Sequence, residues 1–276
     1  MVLSLRARPR NAGDSDAGGT ARPVLTRTRA AAQRLRPVGR GLLDLLFPPV
    51  CVGCSRLIAK PHALCPVCWS GLRFLERPYC AVLGLPFVHD LGDAILSPEA
   101  IADPPVFQRL RSAVVHEGVA RHLVHALKYA DRGDLAPMMA GWMVRASDGL
   151  LAECDGVVAV PLHRFRLWRR RFNQSADLAR HVAALSGRPY LADALVRQRR
   201  TQRQVGLGAR ARVENVRGAF QVPDGQRMVV AGKRLVLIDD VYTTGATVAA
   251  ATRALLKAGA VSVSVLTFAR ALPDHI

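Results

Sequence analysis

The sequence predicts an α/β protein, with a parallel sheet flanked by helices and a small metal-binding module near the N-terminus. Apolar runs at 155–160, 234–238 and 260–268 alternate with amphipathic stretches, as strands alternate with helices around a parallel sheet. Two Cys-x-x-Cys pairs lie upstream of this alternation. The 276 residues suffice for one medium domain and a small one.

The charge of the chain is uneven. The net charge is +18, and residues 1–40 and 164–217 carry the excess. Because residues 1 to about 28 lack an apolar period, we expect residues 1–40 to be a disordered basic segment, apart from a short amphipathic helix within 29–47. Basic clusters suit phosphate-rich partners, either nucleic acid or pyrophosphate. A coding bias would explain why arginine replaces lysine, but it does not explain the clustering.

Four cysteines have the spacing of a zinc ribbon, which we place at residues 42–80. The pairs are Cys51 with Cys54 and Cys65 with Cys68. Four thiolates at this spacing can reach one tetrahedral Zn²⁺ and leave no open coordination position, so we expect a structural zinc. Disulfides are the weaker alternative. We find neither a secretory signal nor a membrane-spanning stretch, and therefore expect a cytoplasmic protein.

Periodicity places the remaining elements. Segments rich in proline, arginine or glycine at 78–105 and 188–217 are expected to be loops. A short strand is expected at 218–222. The stretches with helical spacing of apolar residues are 119–129, 135–147, 172–185 and 246–258.

The segment after the apolar run 235–238 has the layout of a sugar-phosphate site. Asp239 and Asp240 come where the strand should end, at the sheet edge where open α/β folds bind ligands. A polar loop follows, in which glycine, threonine hydroxyls and a helix N-terminus can bind an anion. A ribose 5-phosphate satisfies both halves, because its hydroxyls suit carboxylates. An ordinary strand–turn–helix capped by Asp240 or a threonine is the alternative. The loop residues are Thr243, Thr244, Gly245 and Thr247.

A second strand end could complete the site. The run Val160, Pro161, Leu162, His163 and Arg164 follows the strand expected at 155–160, and further arginines come after it. Guanidinium groups match the oxygens of pyrophosphate, so this run is a candidate pyrophosphate loop. A solvated, arginine-rich helix entry is the alternative.

A basic segment further along the chain is a candidate lid, which would exclude water during a transfer reaction. Its marker residues are Arg200, Gln204 and Arg210. An exposed, disordered insert is the alternative.

The order of these motifs resembles a known family. Residues 235–247 resemble the signature of the type I phosphoribosyltransferases, whose substrate is phosphoribosyl pyrophosphate (PRPP). The whole series resembles the ComF family of competence proteins over residues 42–270. The matching motifs are the cysteine pairs, Ala-Leu-Lys-Tyr at 126–129, Val-Pro-Leu-His at 160–163, the Phe-Asn-Gln run at 172–174 and the Asp-Asp loop.

The resemblance implies a zinc ribbon followed by a type I phosphoribosyltransferase fold at 106–270. It also implies that Asp239 and Asp240 hold ribose hydroxyls and Mg²⁺ as the catalytic pair, with PRPP contacts extending over Val241, Ala246 and the loop residues named above. The implied role is in DNA uptake, on single-stranded DNA, with helicase-type and DNA-processing partners. A working transferase of nucleotide salvage and a non-catalytic PRPP sensor are the alternatives.

The chain departs from the family pattern at three positions. Cys80 remains from a second set of cysteines, but Leu83 stands where its partner would be, so we expect a second zinc site to be lost. Arg171 replaces a glycine at a strand-to-helix turn, and Tyr242 replaces an aliphatic residue beside the phosphate loop.

Overall fold

A four-stranded parallel sheet organises the described part of the chain, with strand order β1-β6-β5-β2. The structure is a computed structural model, and it describes residues 48–90, 92, 94–129, 132–162, 173–199 and 209–272. A second sheet pairs β3 with β4. The strands are β1 Leu110–Val115, β2 Gly156–Ala159, β3 Val196–Arg197, β4 Phe220–Gln221, β5 Arg234–Tyr242 and β6 Ser262–Arg270.

Nine α-helices, most of them short, surround the strands in the described residues. Two single turns of 3-10 helix lie at Gly133–Leu135 and Asp224–Gln226. The α-helices are α1 Pro66–Ser70, α2 Pro98–Ala102, α3 Gly118–Tyr129, α4 Ala136–Arg145, α5 Leu150–Glu153, α6 Gln174–Ser186, α7 Ala209–Val216, α8 Arg227–Val230 and α9 Ala246–Lys257.

Helices cover both faces of the parallel sheet, as the unbroken apolar run of β5 requires. Val236 and Ile238 face a core built with α3, α4 and α6, where Phe268 stacks on Trp142 at 6.0 Å. Leu235 and Leu237 face the opposite core, which α9 covers. The strand alternation therefore divides the apolar side chains between two cores.

The predicted parallel sheet flanked by helices is confirmed, and two of the loop predictions are wrong. Residues 78–105 contain α2, and residues 188–217 contain β3 and α7. The sequence reading also missed β1, since Arg111 and Ser112 interrupt its apolar run. Both side chains are buried in polar contacts: Arg111 with Asp148 at 3.1 Å, and Ser112 Oγ with Thr267 Oγ1 at 2.6 Å.

The segment from Pro49 to Asp103 packs against both cores. Val52 and Leu72 belong to the core that contains Phe268. Cys80, Leu83 and Leu85 belong to the core that α9 covers. The basic segment 1–40 and the helix expected within 29–47 lie outside the described residues.

Candidate functional site

The two adjacent carboxylates lie at the carboxyl end of β5, which extends past them to Tyr242. Asp240 is buried, and its Oδ1 lies 2.9 Å from Nζ of Lys128, in the last turn of α3. The hydroxyl of Ser175, at the start of α6, donates to Oδ1 of Asp239 at 2.9 Å. Side chains from two helices therefore hold the carboxylates in place.

Among the described residues, negative charge outweighs positive charge at this pair. Burial and the nearby charge of Asp240 raise the pKa of Asp239 to about 7, although Lys128 and Ser175 act to lower it. Burial acts to lower the pKa of Lys128, but attraction to Asp240 and Asp239 outweighs burial and raises it. One lysine thus serves two carboxylates, and a further cation or a set of hydroxyl donors would be favoured here.

The polar loop after the carboxylates turns at Gly245, which has a φ of +75° and precedes the first turn of α9. Thr243 and Thr244 are exposed, so their hydroxyls are available to an anion. Ala246 is buried, and because its side chain has no polar atom, it can offer an anion only its backbone amide. A helix N-terminus with exposed hydroxyls nearby is an arrangement that binds phosphate.

Tyr242 closes one side of this loop. A Cβ at Gly245 would lie 2.5 Å from the Tyr242 hydroxyl oxygen. The loop therefore requires glycine for two reasons, because its φ is positive and because a side chain would clash with Tyr242. The Tyr242 ring meets Phe107 edge-on at 6.3 Å and lies 5.2 Å from the guanidinium of Arg270. Burial raises the pKa of Tyr242.

The second strand end is described only in part. Val160 extends the pairing of β2, since its amide donates to the carbonyl of Ile238 at 2.9 Å, and its side chain is buried. Pro161 and Leu162 are half-buried. His163 and Arg164 fall outside the described residues, as do Arg171, Arg200 and Gln204. Arg210 lies in α7, and the structure does not describe its side chain.

Asn173 joins this strand end to α6. Its side chain caps the helix by accepting from the amide of Ser175 at 3.2 Å, and its Nδ2 donates to the carbonyl of Val160 at 3.2 Å. The side-chain Nε2 of Gln174 donates to the backbone carbonyl of Lys128 at 3.4 Å. The Phe-Asn-Gln motif and the Ala-Leu-Lys-Tyr motif therefore meet at the carboxylates.

Sequence reasoning missed the roles of Lys128, Ser175 and Asn173. Lys128 and Asn173 lie within the Ala-Leu-Lys-Tyr and Phe-Asn-Gln motifs, but the motifs do not indicate which groups these side chains contact. Ser175 lies in neither motif. A lysine on an amphipathic helix is ordinarily solvated. The available signal was that Lys128 is one of only four lysines among 39 basic residues.

A cavity of about 1060 Å³ opens beside the phosphate loop. It extends along α9 as far as Lys257. Its lining also includes Val222, Phe220, Tyr242, Thr244, Gly245, Phe107, Glu99 and Asp103.

The four cysteines of the predicted zinc ribbon form one cluster. The sulfur atoms of Cys51, Cys54, Cys65 and Cys68 all lie within 4.8 Å of one another, and the sulfurs of Cys54 and Cys65 are 3.7 Å apart. Tetrahedral zinc with Zn–S distances of about 2.3 Å requires sulfurs about 3.8 Å apart. This cysteine cluster is the one group of three or more metal-binding side chains among the described residues.

The electrostatics of the cluster also fit a bound cation. Although burial acts to raise the pKa of Cys51, amide groups that include those of Cys65 and Gly53 donate to its sulfur and lower its pKa to about 6. Burial and the other sulfurs raise the pKa of Cys68. Four thiolates therefore need a dication between them, and the residues present fit structural zinc.

Comparison with known proteins places these features in a family. The double zinc ribbon domain family matches residues 42–100. The DNA utilization protein YhgH of Salmonella typhimurium strain LT2 is 34% identical over 235 residues, which is 83% of this chain and all of that protein. The chain belongs to the ComF family. Competence protein F of Haemophilus influenzae strain Rd is 33% identical over 117 residues, covering 42% of this chain and 51% of that protein.

Solved structures with partial likeness include phosphoribosyl enzymes. One is "the allosteric regulatory enzyme of purine biosynthesis", with 26% identity over 52% of this chain and 30% of that chain, and a TM-score of 0.36. Another is a phosphoribosyltransferase from Corynebacterium diphtheriae, with 22% identity over 55% of this chain and 78% of that chain, and a TM-score of 0.28.

In the described residues of this ComF-family chain, no helix is both long enough and apolar enough to span a membrane.

The carboxylate pair should destabilise the protein above neutral pH. Asp239 has a folded pKa of about 7 against an ordinary value of 3.8, so the folded state binds more protons than the unfolded state between about pH 4 and 7. The free energy of unfolding should therefore fall as pH rises through that window. Asp239→Asn keeps the acceptor oxygen for Ser175, and it should be more stable than wild type by roughly 1–3 kcal/mol at pH 8.

Urea unfolding at pH 4.5 and pH 8 measures this difference. The matched variant Asp240→Asn should instead destabilise at pH 8, because it leaves Lys128 without its carboxylate. An advantage of Asp239→Asn that is the same at both pH values would contradict the assignment.

Proposed function

We propose that this protein binds PRPP with Mg²⁺ at the carboxyl end of β5 and acts in DNA uptake, in the cytoplasm, by binding single-stranded DNA. The first part rests on one observation. A carboxylate pair, for which the described residues supply too little positive charge, is followed after the end of β5 by a glycine turn and a helix N-terminus. The names of the relatives, DNA utilization protein and competence protein, support the second part.

The ribose and its 5-phosphate would occupy opposite halves of the loop. The hydroxyls of the ribose would donate to Asp239 and Asp240, whose oxygens are also suitable ligands for Mg²⁺. The phosphate would accept from the hydroxyls of Thr243 and Thr244 and from the amides that open α9. Residues 160–164 would then face the pyrophosphate. Mg²⁺ would supply positive charge that neutralises the pyrophosphate and the carboxylates together.

Lys128 would balance the site before the ligand arrives. Its ammonium pairs with Asp240 at 2.9 Å, and this attraction outweighs the burial that disfavours its charge. When Mg²⁺ brings two positive charges to the same carboxylates, that pairing becomes unnecessary, and the ammonium can turn to a phosphate oxygen. Lys128 is therefore a positioning residue that keeps the carboxylates together in the empty pocket.

Transfer of the phosphoribosyl group to an acceptor is a second candidate function, and the cavity of about 1060 Å³ favours it. The cavity borders Thr244 and Gly245, which would hold the 5-phosphate, so an acceptor held there would lie beside the phosphate end of bound PRPP. In such a reaction the protein mainly positions the reactants and stabilises charge, which the described residues can do without a general base.

Calorimetric titration of PRPP with Mg²⁺ into the zinc-loaded full-length chain tests the proposed pocket. Wild type should bind, and Asp240→Asn should bind at least about 10-fold more weakly, since it loses a charged hydrogen-bond acceptor and a metal ligand. Gly245→Ala should also lose binding, because its Cβ would clash with Tyr242.

The matched control for this titration is Asp155→Asn. Asp155 is an exposed carboxylate at the amino end of β2, and its side chain accepts from the amide of Arg234 at 2.8 Å. This variant should bind like wild type. An absence of binding in wild-type protein that has its zinc and a cooperative unfolding transition would contradict the PRPP proposal.

The salt dependence of DNA binding tests the second part. Residues 1–40 carry nine arginines and two aspartates, so their net charge is 9 − 2 = +7. Binding of labelled oligo-dT, followed by fluorescence anisotropy, should weaken steeply with salt, with a slope of about −0.7 per neutralised phosphate. Replacing the nine arginines by glutamine in the full chain should reduce that slope. A salt-independent affinity, or no binding at 50 mM salt, would contradict a role in direct DNA contact.

A further inference from the structure

The segment from Pro78 to Asp103 repeats the backbone of the zinc-binding ribbon. In the first ribbon, the amide of Cys51 donates to the carbonyl of Arg56 at 2.7 Å; in the second segment, the amide of Cys80 donates to Leu85 at 2.8 Å. The amide four residues after each of these cysteines returns to the cysteine's own carbonyl at 2.8 Å. The two turns therefore have the same hydrogen-bond pattern, offset by 29 residues.

The flanks of the two turns also correspond. Antiparallel bridges join Val50 to Leu57 and Tyr79 to Pro86, each pair seven residues apart. The turns end in the same way, since Ser55 and Gly84 have φ values of +60° and +59°. The two turns therefore have the same backbone structure, that of a zinc knuckle.

A short helix completes each unit. In the first ribbon, α1 follows Cys65, whose amide donates to the sulfur of Cys51 at 3.2 Å. In the second, α2 follows Ser97, whose amide donates to the sulfur of Cys80 at the same distance. Cys65 and Ser97 both cap their helices, and each is followed by a proline.

This correspondence identifies the second ribbon's four ligand positions. The hydrogen bonds above show that Cys80 occupies the position equivalent to Cys51, and Ser97 the position equivalent to Cys65. The spacing within the turn and the helix makes Leu83 equivalent to Cys54 and Ala100 equivalent to Cys68. Three of the four zinc-binding sulfurs are therefore replaced.

Apolar packing fills the place of the metal. Leu83 and Ala100 are buried together with Leu85, Phe107 and Leu110. The sulfur of Cys80 accepts from the amides of Leu83 and Ser97, so the remaining polar atoms of the site satisfy one another.

The sheet supports this ribbon from outside. Arg270 donates to the carbonyl of Leu83, and Arg111 donates to the carbonyl of Ala81 at 3.1 Å. The amide of Leu110 donates to the carbonyl of Val82 at 2.7 Å. Gly84 packs so closely that a Cβ would lie 2.7 Å from the carbonyl oxygen of Leu110.

We infer that residues 78–103 form a second ribbon that folds without metal, and that the chain binds one structural zinc although its domain family is named for two ribbons. Leu83 and Ala100 have no ligand atom, and Cys80 alone cannot hold a tetrahedral zinc. The second ribbon lines the cavity beside the phosphate loop through Leu83, Glu99 and Asp103, so the shape of that wall does not depend on zinc.

Zinc content per chain, measured by mass spectrometry on the full-length protein, tests the inference with a matched pair of variants. Wild type should hold about one zinc per chain. Cys51→Ser should lose most of it, because it removes a ligand of the first ribbon. Cys80→Ser, at the corresponding position of the second ribbon, should keep the wild-type content.

Restoring the site provides the converse test. The triple variant Leu83→Cys, Ser97→Cys and Ala100→Cys should bind a second zinc, and cobalt titration should show twice the thiolate-to-metal absorption of wild type. Two zinc ions in wild type, or a loss of zinc in Cys80→Ser, would overturn the inference. A folded triple variant that still binds one metal would overturn the assignment of the ligand positions. If the triple variant fails to fold, the comparison of Cys51→Ser with Cys80→Ser decides.

Discussion

Two adjacent carboxylates in a largely buried position, with one lysine paired to them among the described residues, are the constraint on which the rest of the site depends. Like charges this close repel, and the raised pKa of Asp239 reflects that repulsion together with burial. Lys128 and Ser175 hold the pair in the absence of a ligand, because α3 and α6 place them at the end of β5. Such an arrangement lowers the stability of the empty protein, and a ligand that carries hydroxyls and a divalent cation would remove that cost.

The fold concentrates these groups at one edge of the sheet. β5 lies between β6 and β2 and runs parallel to both, so the carboxylate pair near the end of β5 and the end of β2 lie at the same edge of the sheet. Asn173 links that strand end to α6, and the phosphate loop leads directly into α9. The two ribbons pack on opposite cores of the same unit, one organised by four sulfurs and the other by apolar side chains and Arg270.

Sequence patterns predicted the parts of this molecule whose structure is determined by residues close together in the chain. The apolar run of β5, the glycine turn and the cysteine spacing each carry a local physical signal. β1 was not predicted, because its polar residues Arg111 and Ser112 are buried by contacts with partners distant in sequence, Asp148 and Thr267. The role of Lys128 was not predicted for the same reason, since its partner Asp240 lies on another element. For the second ribbon, the sequence predicted only the loss of a zinc site, because Cys80 remains and Leu83 stands in place of its partner. The retained ribbon fold could not be predicted, because it is held by backbone hydrogen bonds that leave no cysteine spacing in the sequence.

If the proposed pocket binds Mg²⁺ with PRPP, Lys128 supplies in the empty pocket the positive charge that Mg²⁺ would supply in the occupied one. Urea unfolding of Lys128→Met and wild type at pH 8, with and without millimolar Mg²⁺, measures this exchange. We expect Lys128→Met to be less stable than wild type without Mg²⁺, and Mg²⁺ to stabilise the variant more than wild type, by roughly 1 kcal/mol or more. An equal response of the two proteins to Mg²⁺ would show that Lys128 does not have this role.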